Sequence, residues 1–510
     1  MPRFYLTTAI DYANGEPHLG HAFEKIGADT IARYHRMAGF DVHLCIGMDE
    51  HGQKVAQTAA AQGIEPQQFV DGIAAHFRAM WDRVNISYDQ FIRTTDPAHK
   101  SGVRALIKRI ADTSPDDFYE KAYEGWYCVG CELFKRDDEI ADGHCVLHPT
   151  RTLEWTKERN FFFRLSKYQG FLERLIAERP DFIRPESRRN EILGLIAQGL
   201  EDISISRARL AWAIPFPLSI SDGSAQGTWV WFDALPNYLT ATGYPDKVWK
   251  ERWPAQLHVV GKDITRLHAV VWPAMLQAAE LPLPEHVWAH GFVQLGGERF
   301  SKSAGVKLDL GEAIDRHGVD AFRYFLLREV PFDADGNFSF ERFDDRFNAD
   351  LANAFGNLAS RVIAMIERYR GGIVPAAPPT TLDADDAAAI AQYHSALDGS
   401  NGYLLHEGLR HAWICATRGN EYVDRRAPWK QAKDPAEAAA LDETLGALAR
   451  QLARLAVLVA PYMPGKAAEL WTQLGGPETV DRQRFATLAA LDPAGWRVTK
   501  GAPMFPKPAP

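Results

Sequence analysis

The stretch "NGEPHLGHAFEKIGADTIARYHRMAG", residues 14–39, lies between "RFYLTTAI" (3–10) and "DVHLCIGMD" (41–49), and the succession of the three decides the fold. The flanking segments are apolar, rich in β-branched and aromatic residues, and read as strands. Between them Leu19, Phe23 and Ile26 recur at helical spacing. Pro17 suits the first helical position and Gly39 the stop, so the pattern predicts a helix over 17–39. Strand, helix and strand in this order form the opening βαβ unit of a nucleotide-binding sheet.

His18 and His21 would then share one face of the helix's first turn. A helix N-terminus at the carboxyl end of a parallel sheet offers unpaired N–H groups and a positive dipole end, which suits phosphate. Imidazoles there can donate to phosphate oxygens, and Gly20 removes the side chain that would keep a flat base off the backbone. Taken alone, the stretch also fits a plainer reading in which two histidines solvate a helix end.

With 510 residues, 46% of them hydrophobic, the chain can bury several cores. A net charge of -9 argues against indiscriminate nucleic-acid binding and leaves room for a local basic face. No apolar run reaches the length of a membrane span, and "MPRF" passes directly into a strand, so no membrane partner and a cytoplasmic location are expected. Five cysteines do not make a disulfide framework, and Cys45 and Cys415, in apolar segments, read as core residues.

Residues 1–114 alternate strands and helices, as the first half of a doubly wound fold does. Residues 115–224 change to short strands, aromatics and clustered cysteines, and read as an inserted connective module. The α/β rhythm resumes over 225–340 with "TWVWFDAL", "LHVVGKD" and the apparent strand "HVWAHGFVQL". Residues 341–510 turn helical, with "FNADLANAFGNLASRVIAMIERY" as a long amphipathic stretch and "GGIVPAAPPTTLDADD" (371–386) as a linker. The expected architecture is a split Rossmann-like parallel sheet with an inserted zinc-binding module, followed by an all-α helix bundle and a short tail.

Within the module, Cys128 and Cys131 form a CxxC in "YCVGCE", and Cys145 and His148 form a CxxH in "HCVLHP". Two such pairs can close a tetrahedral site for one zinc ion, which four protein ligands would make structural. A thioredoxin-like motif would account for the first pair only. A second candidate phosphate element is "GGERFSKSAG", where Ser301, Lys302 and Ser303 put one cation and two hydroxyls on a loop. By itself that loop also reads as an ordinary exposed turn. The chain contains no GxxxxGK[ST] and no GxGxxG.

"HLGH" resembles the HIGH signature and "RFSKS" the KMSKS signature of class I aminoacyl-tRNA synthetases, in the right order at opposite ends of a split nucleotide fold. Within that class the chain resembles the methionyl-tRNA synthetase family over nearly its whole length. The matching segments are "TTAIDYANGEPHLGHAFE", "GMDEHG", "WVWFDALPNYL", "GKDITRLHAVVWPAML", "HGFVQLGGERFSKSAG", "NLASR" and "RRAPW".

The resemblance implies methionine activation by ATP with Mg²⁺, followed by methionyl transfer to the 3′-terminal ribose of methionine tRNA, initiator and elongator. It assigns ATP to His18, Gly20 and His21, with Asn14 nearby, and gives Lys302, flanked by Ser301 and Ser303, the triphosphate. Asp263 would take the ribose and Val293 the adenine. The methionine pocket falls on Ile10, Tyr12, Asp49, Trp231, Ala234, Leu235, Tyr238, Ile264 and His268, an apolar, aromatic-lined slot with few polar groups, as a thioether requires. Asn357, Arg361, Pro428 and Trp429 match the family's anticodon readers. Stacking faces with amide and guanidinium donors suit unpaired bases.

Three departures stand out. Arg299 and Phe300 replace the lysine and methionine that open KMSKS, and Asp11 stands where an apolar residue or tyrosine is expected. Nothing after the bundle resembles the C-terminal domain that dimerises some members, so a monomer is expected. The rivals are a class I synthetase for another amino acid and a non-catalytic zinc-containing RNA-binding protein of the same fold. A metal hydrolase is weaker, because four protein ligands leave the zinc no open position.

Overall fold

β1 (Arg3–Thr8) is buried over five of its six residues, and β3 (Asp41–Asp49) throughout from Leu44, the pattern of parallel strands covered on both faces. The computed structural model describes residues 1–510 except 130–132, 136, 147, 209, 211, 296–297, 300–307 and 507–510, and except the side chains of 123, 133, 148, 150–151 and 298–299. β1 pairs with β3 and with Leu257–Gly261, which pairs with His286–His290, which pairs in turn with Ile183–Arg184. β2 (Asp11–Tyr12) and β4 (Gln90–Arg93) both pair with β3. All these pairings are parallel, so the seven strands make the expected α/β sheet. Ile183–Arg184 lies within 115–224, so that segment also supplies an edge strand.

The helix after β1 starts and stops two residues inside the predicted span. α1 covers Leu19–Met37, because His18 stays extended (φ -132°, ψ 175°) and caps the helix with its side chain. The segment "TWVWFDAL" winds into the short helix Val230–Ala234 after a two-residue strand, Gly227–Thr228, although its residues favour strands. Packing overrides β-propensity there. "HVWAHGFVQL" forms two strands, His286–His290 and Val293–Leu295, broken at Gly291. A Cβ on Gly291 would come within 2.1 Å of the Ala334 carbonyl oxygen, so only glycine fits where the chain turns.

In the inserted segment, Phe118–Cys128 and Glu154–Phe163 form a long antiparallel ribbon, extended by Leu133–Phe134 and Ile203–Ser204. The helical half comprises Asn357–Arg370, Thr381–Leu397, Leu405–Arg426, Ala438–Val459 and Pro464–Leu474. The linker is shorter than the sequence implies, because Thr380 and Asp383 form a capping box that begins a helix at Thr381. One apolar core runs from α1 through Val319–Glu329 into the bundle. No helix among the described residues is long and apolar enough to cross a membrane.

Candidate active site

The two signature histidines cap each other's backbone. His18 Nδ1 accepts from the N–H groups of Gly20 (3.2 Å) and His21 (3.4 Å), and His21 Nδ1 accepts from the His18 N–H (3.3 Å). The rings stack with centroids 3.6 Å apart. With each Nδ1 an acceptor, the proton of each neutral ring lies on Nε2. The cap therefore does two things: it satisfies helix N–H groups and it makes Nε2–H the donor edge of both imidazoles. Gly20 belongs to this arrangement, since a Cβ there would press on the His18 ring at 3.2 Å.

Of the residues expected at the adenosine, Asp263 lies in the turn Lys262–Ile264, directly after the strand Leu257–Gly261. Val293 is buried at the start of its strand, which pairs with Glu298–Arg299 and with Gly336–Phe338. Asn14 follows β2, its N–H bonded to the Tyr12 carbonyl. Phe300, Ser301, Lys302 and Ser303 lie outside the described residues, as does the side chain of Arg299.

The proposed methionine residues converge from four segments. Tyr12 faces Asp49 across the β2–β3 pairing. Ile10, Tyr12, Trp231 and Ile264 pack on one core cluster that contains Leu235 and Tyr238, while Ala234 is buried on the Val230–Ala234 helix. His268 Nδ1–H donates to the Ile264 carbonyl (3.0 Å), which leaves Nε2 to accept from the Tyr238 hydroxyl (2.6 Å). Burial holds the His268 imidazole down to about 4 and pushes the Tyr238 phenol far up, so both groups are neutral near pH 7. The Trp231 ring stands perpendicular to His268 at 6.4 Å.

Two buried charge networks flank these residues, and sequence reasoning assigned neither. In the first, Asp233 bonds His51 Nδ1 (2.6 Å) and His99 Nε2 (2.8 Å), and His99 Nδ1 meets the Thr240 hydroxyl (2.7 Å). Burial alone would raise the Asp233 carboxyl, but His51 and His99 hold it below the usual carboxylate range. The trio ties the helix that carries Trp231 and Ala234 to the turn after Asp49. His51 and Asp233 lie in "GMDEHG" and "WVWFDALPNYL", the only signal available.

In the second network Lys25, fully buried, donates to the Ala9 carbonyl (2.9 Å), Asp11 Oδ1 (2.9 Å) and Glu24 Oε1 (2.8 Å). Glu24 Oε2 meets His290 Nε2 (3.1 Å), and His290 Nδ1–H donates to the Gly291 carbonyl (2.8 Å). Both ring nitrogens of His290 thus face acceptor oxygens, so the ring joins the lysine in holding Glu24. Burial would raise Glu24, but Lys25 and His290 keep it below its usual range. Burial pushes Asp11 up to about 7 despite the lysine beside it.

Away from the sheet, Cys128 ends the ribbon strand Phe118–Cys128 and Cys145 lies in the two-residue strand His144–Cys145. Both are 1% exposed and pack with Leu153. Cys131 and the His148 side chain lie outside the described residues. In the bundle, Ala427 in a left-handed conformation (φ +45°) turns the chain between Leu405–Arg426 and Pro428–Gln431. Pro428 is buried there, and Trp429, 38% exposed, comes under the Arg361 guanidinium at 5.9 Å. Asn357 is exposed one turn before Arg361 on the same helix.

Comparison with known proteins matches residues 4–150 and 137–363 to the family described as "tRNA synthetases class I (M)" and residues 372–508 to the "Anticodon binding domain of methionyl tRNA ligase". The chain is 41% identical to a "Methionine--tRNA ligase" of Caldanaerobacter subterraneus, across 99% of this chain and 78% of that one. It is 42% identical to one of Thermosynechococcus vestitus, across 93% and 90%. Among solved structures, Mycobacterium tuberculosis methionyl-tRNA synthetase in complex with methionyl-adenylate superposes with a TM-score of 0.93 at 38% identity, across 99% of this chain and 100% of that one.

Proposed function

The chain belongs to the methionyl-tRNA synthetase family of class I synthetases, and from that premise we propose the part each residue takes in the family's reaction. The reaction itself is that of a methionine–tRNA ligase. Methionine's carboxylate attacks the α-phosphorus of ATP and pyrophosphate leaves. A hydroxyl of the tRNA's terminal ribose then attacks the adenylate carbonyl and AMP leaves. Both nucleophiles belong to substrates, so the protein's task is positioning and charge stabilisation.

In this reading the Nε2–H groups of His18 and His21 donate to ATP phosphate oxygens as charge builds on them. The mutual cap supports it, because it sets both tautomers before ATP arrives. Lys302, with Ser301 and Ser303, neutralises the β- and γ-phosphates, and Mg²⁺ would add further positive charge there. Asp263 holds the ribose, with Asn14 and Val293 against adenosine. Asp49 takes the substrate ammonium. The uncharged Tyr238–His268 pair beside Trp231 suits a thioether, which a charged group would have to be desolvated to meet.

Amino-acid-dependent ATP–pyrophosphate exchange, run over the twenty amino acids without tRNA, tests the reading. Exchange with methionine alone is expected. Exchange with a different amino acid would overturn the pocket assignment, and none at all would favour the non-catalytic RNA-binding alternative.

Arg361 and Trp429 supply a guanidinium over an exposed indole face, which fits stacking on unpaired anticodon bases, with Asn357 and Pro428 alongside. Trp429→Ala is expected to lower kcat/KM for tRNA charging by about 1–3 kcal/mol, the usual worth of one stacked base, with the loss absent from exchange. Steady-state charging and exchange on the same preparation check this.

A structural zinc fits Cys128, Cys131, Cys145 and His148. Cys128 and Cys145 come from separate strands into a cluster whose only other buried apolar member among the described residues is Leu153, little core for a knuckle. Bound there, zinc would cross-link the turns and supply no chemistry to the reaction. About one zinc per chain is expected by elemental analysis, falling well below that in Cys128→Ser together with the melting temperature. Full zinc retention in that variant would sink the assignment. Residues 1–114, 225–340, 115–224 and 341–510 are the proposed halves of the catalytic fold, its insert and the tRNA-reading domain.

A further inference from the structure

Between Thr8 and Asp11 the chain leaves β1 and enters β2, so the Ala9 carbonyl falls outside the sheet ladder at the point where the methionine-side residues Ile10 and Tyr12 begin. Lys25 takes that carbonyl, and the same ammonium reaches Asp11 and Glu24. Glu24 continues to His290, the last residue of the strand that leads through Gly291 to Val293 on the adenosine side. Lys25 also sits one turn below His21 on α1, the helix whose first turn carries the phosphate donors. Three parts of the site, for amino acid, phosphate and adenosine, thus hang on one buried ammonium and its neighbour Glu24. No other lysine or arginine is bonded to Ala9, Asp11 or Glu24 among the described residues.

Burying an ammonium among carboxyl groups is not the economical way to stabilise such a place; well-packed apolar residues of similar volume do as well or better. What directional bonds add, and apolar contacts do not, is a fixed separation between strand ends. Asp11 Oδ2 has no hydrogen-bond partner among the described residues, so the cluster is built around the lysine and not around the carboxylate. We propose that Lys25 is a positioning residue for adenylate formation, holding the methionine-side and adenosine-side strand ends at the spacing that in-line attack on the α-phosphorus requires. This rests on the methionine-activating reading above. Because neither subsite is lined by Lys25, its loss should misplace two bound substrates relative to each other and leave each one's own contacts standing.

The test compares the full-length wild type with Lys25→Met and with Asp11→Asn/Lys25→Met in methionine-dependent ATP–pyrophosphate exchange, varying both substrates, beside thermal melting. The single variant strands the Asp11 and Glu24 carboxylates and is expected to lose stability and activity together. The double variant removes the Asp11 charge, leaves Glu24 its bond to His290, and is expected to regain most of the melting temperature that the single variant loses. Its kcat should nevertheless stay about 10- to 100-fold down, the scale of a misplacement near 1 Å, while both KM values change by less than about threefold. A double variant with wild-type kcat, or with its whole loss in KM, overturns the proposal. Should neither Lys25 variant fold, Asp11→Asn, which is isosteric, must show the same split with a smaller fall in kcat; an unchanged kcat there overturns it equally. Absence of exchange in the wild type would sink the underlying reading, whereas wild-type exchange beside unaltered variants would sink only this one.

Discussion

Arg323→Met is expected to lower the unfolding free energy by about 3–5 kcal/mol, because it leaves a buried carboxylate without its closest cation. Arg323 is fully buried, with Nη2 on Asp29 Oδ2 (2.6 Å) and the Pro461 carbonyl (3.1 Å), Nε on the Tyr462 carbonyl (2.8 Å) and Nη1 on the Val84 carbonyl (3.1 Å). Asp29 belongs to α1, and Pro461 and Tyr462 follow the bundle helix Ala438–Val459, so one guanidinium ties the catalytic sheet to the helical half. Without it Asp29 keeps Arg33 at 2.8 Å and the Ser87 N–H at 2.7 Å, but three backbone carbonyls lose their donor.

Urea titration of the two proteins checks the prediction, and Asp29→Leu/Arg323→Met should recover part of the loss. A single variant within about 1 kcal/mol of wild type would show that water or Arg33 replaces the guanidinium. The same site carries a pH signature. Burial would raise the Asp29 carboxyl, yet Arg33 and Arg323 bring it from 3.8 down to about 2. A depressed carboxyl contributes stability that is present in full above its unfolded value and disappears as pH falls through the folded one. Between about pH 4 and 2 wild type should therefore lose about 2 kcal/mol more than Asp29→Asn.

Much of the fold was legible because its signals are periodic. "RFYLTT" and "DVHLCIGMD" carry apolar, β-branched and aromatic residues at their centres, and α1 shows its stripe of Leu19, Phe23 and Ile26. What was not legible depends on distant neighbours. His18 is the helix cap and not a member of the first turn: its Nδ1 accepts from the Gly20 and His21 N–H groups, while His21 Nδ1 accepts from the His18 N–H. Trp231 sits among residues that favour strands, and the partners of the buried Asp233 two positions on, His51 and His99, are distant in sequence. Asp11 stood out as foreign to its place, yet its partner could not be named, since Lys25 follows Glu24 in an amphipathic helix and reads as part of a solvated face. Burial of α1 on nearly every side, which comes from the bundle packing behind it, turns that face inward.

The remaining large effect is expected at Lys302, where Lys302→Ala should slow adenylate formation by about 10²–10³-fold, the range for removing one preorganised partner of a developing anion. Attack on the α-phosphorus drives charge onto the departing β- and γ-phosphates. His18 and His21 are fixed at the helix end by their own cap and cannot follow that charge, so a cation from elsewhere in the chain is needed to meet it. Glu298–Arg299 pairs with Val293–Leu295 beside the proposed adenine site, four residues or fewer before Lys302 in the sequence. Arg299 keeps a positive charge at the loop's start, but a guanidinium presents a planar fork where an ammonium is a point charge, so it cannot simply replace Lys302. The loss should therefore appear in the rate of adenylate formation under rapid mixing, while the KM for methionine changes by only a few-fold, since the proposed role places Lys302 on the phosphates alone. Stabilisation of a transition state acts equally in both directions, so pyrophosphorolysis of preformed methionyl adenylate should slow by the same factor. An unchanged forward rate would remove Lys302 from the mechanism, and a fall in the forward rate alone would mean that it holds the bound pyrophosphate as strongly as the transition state.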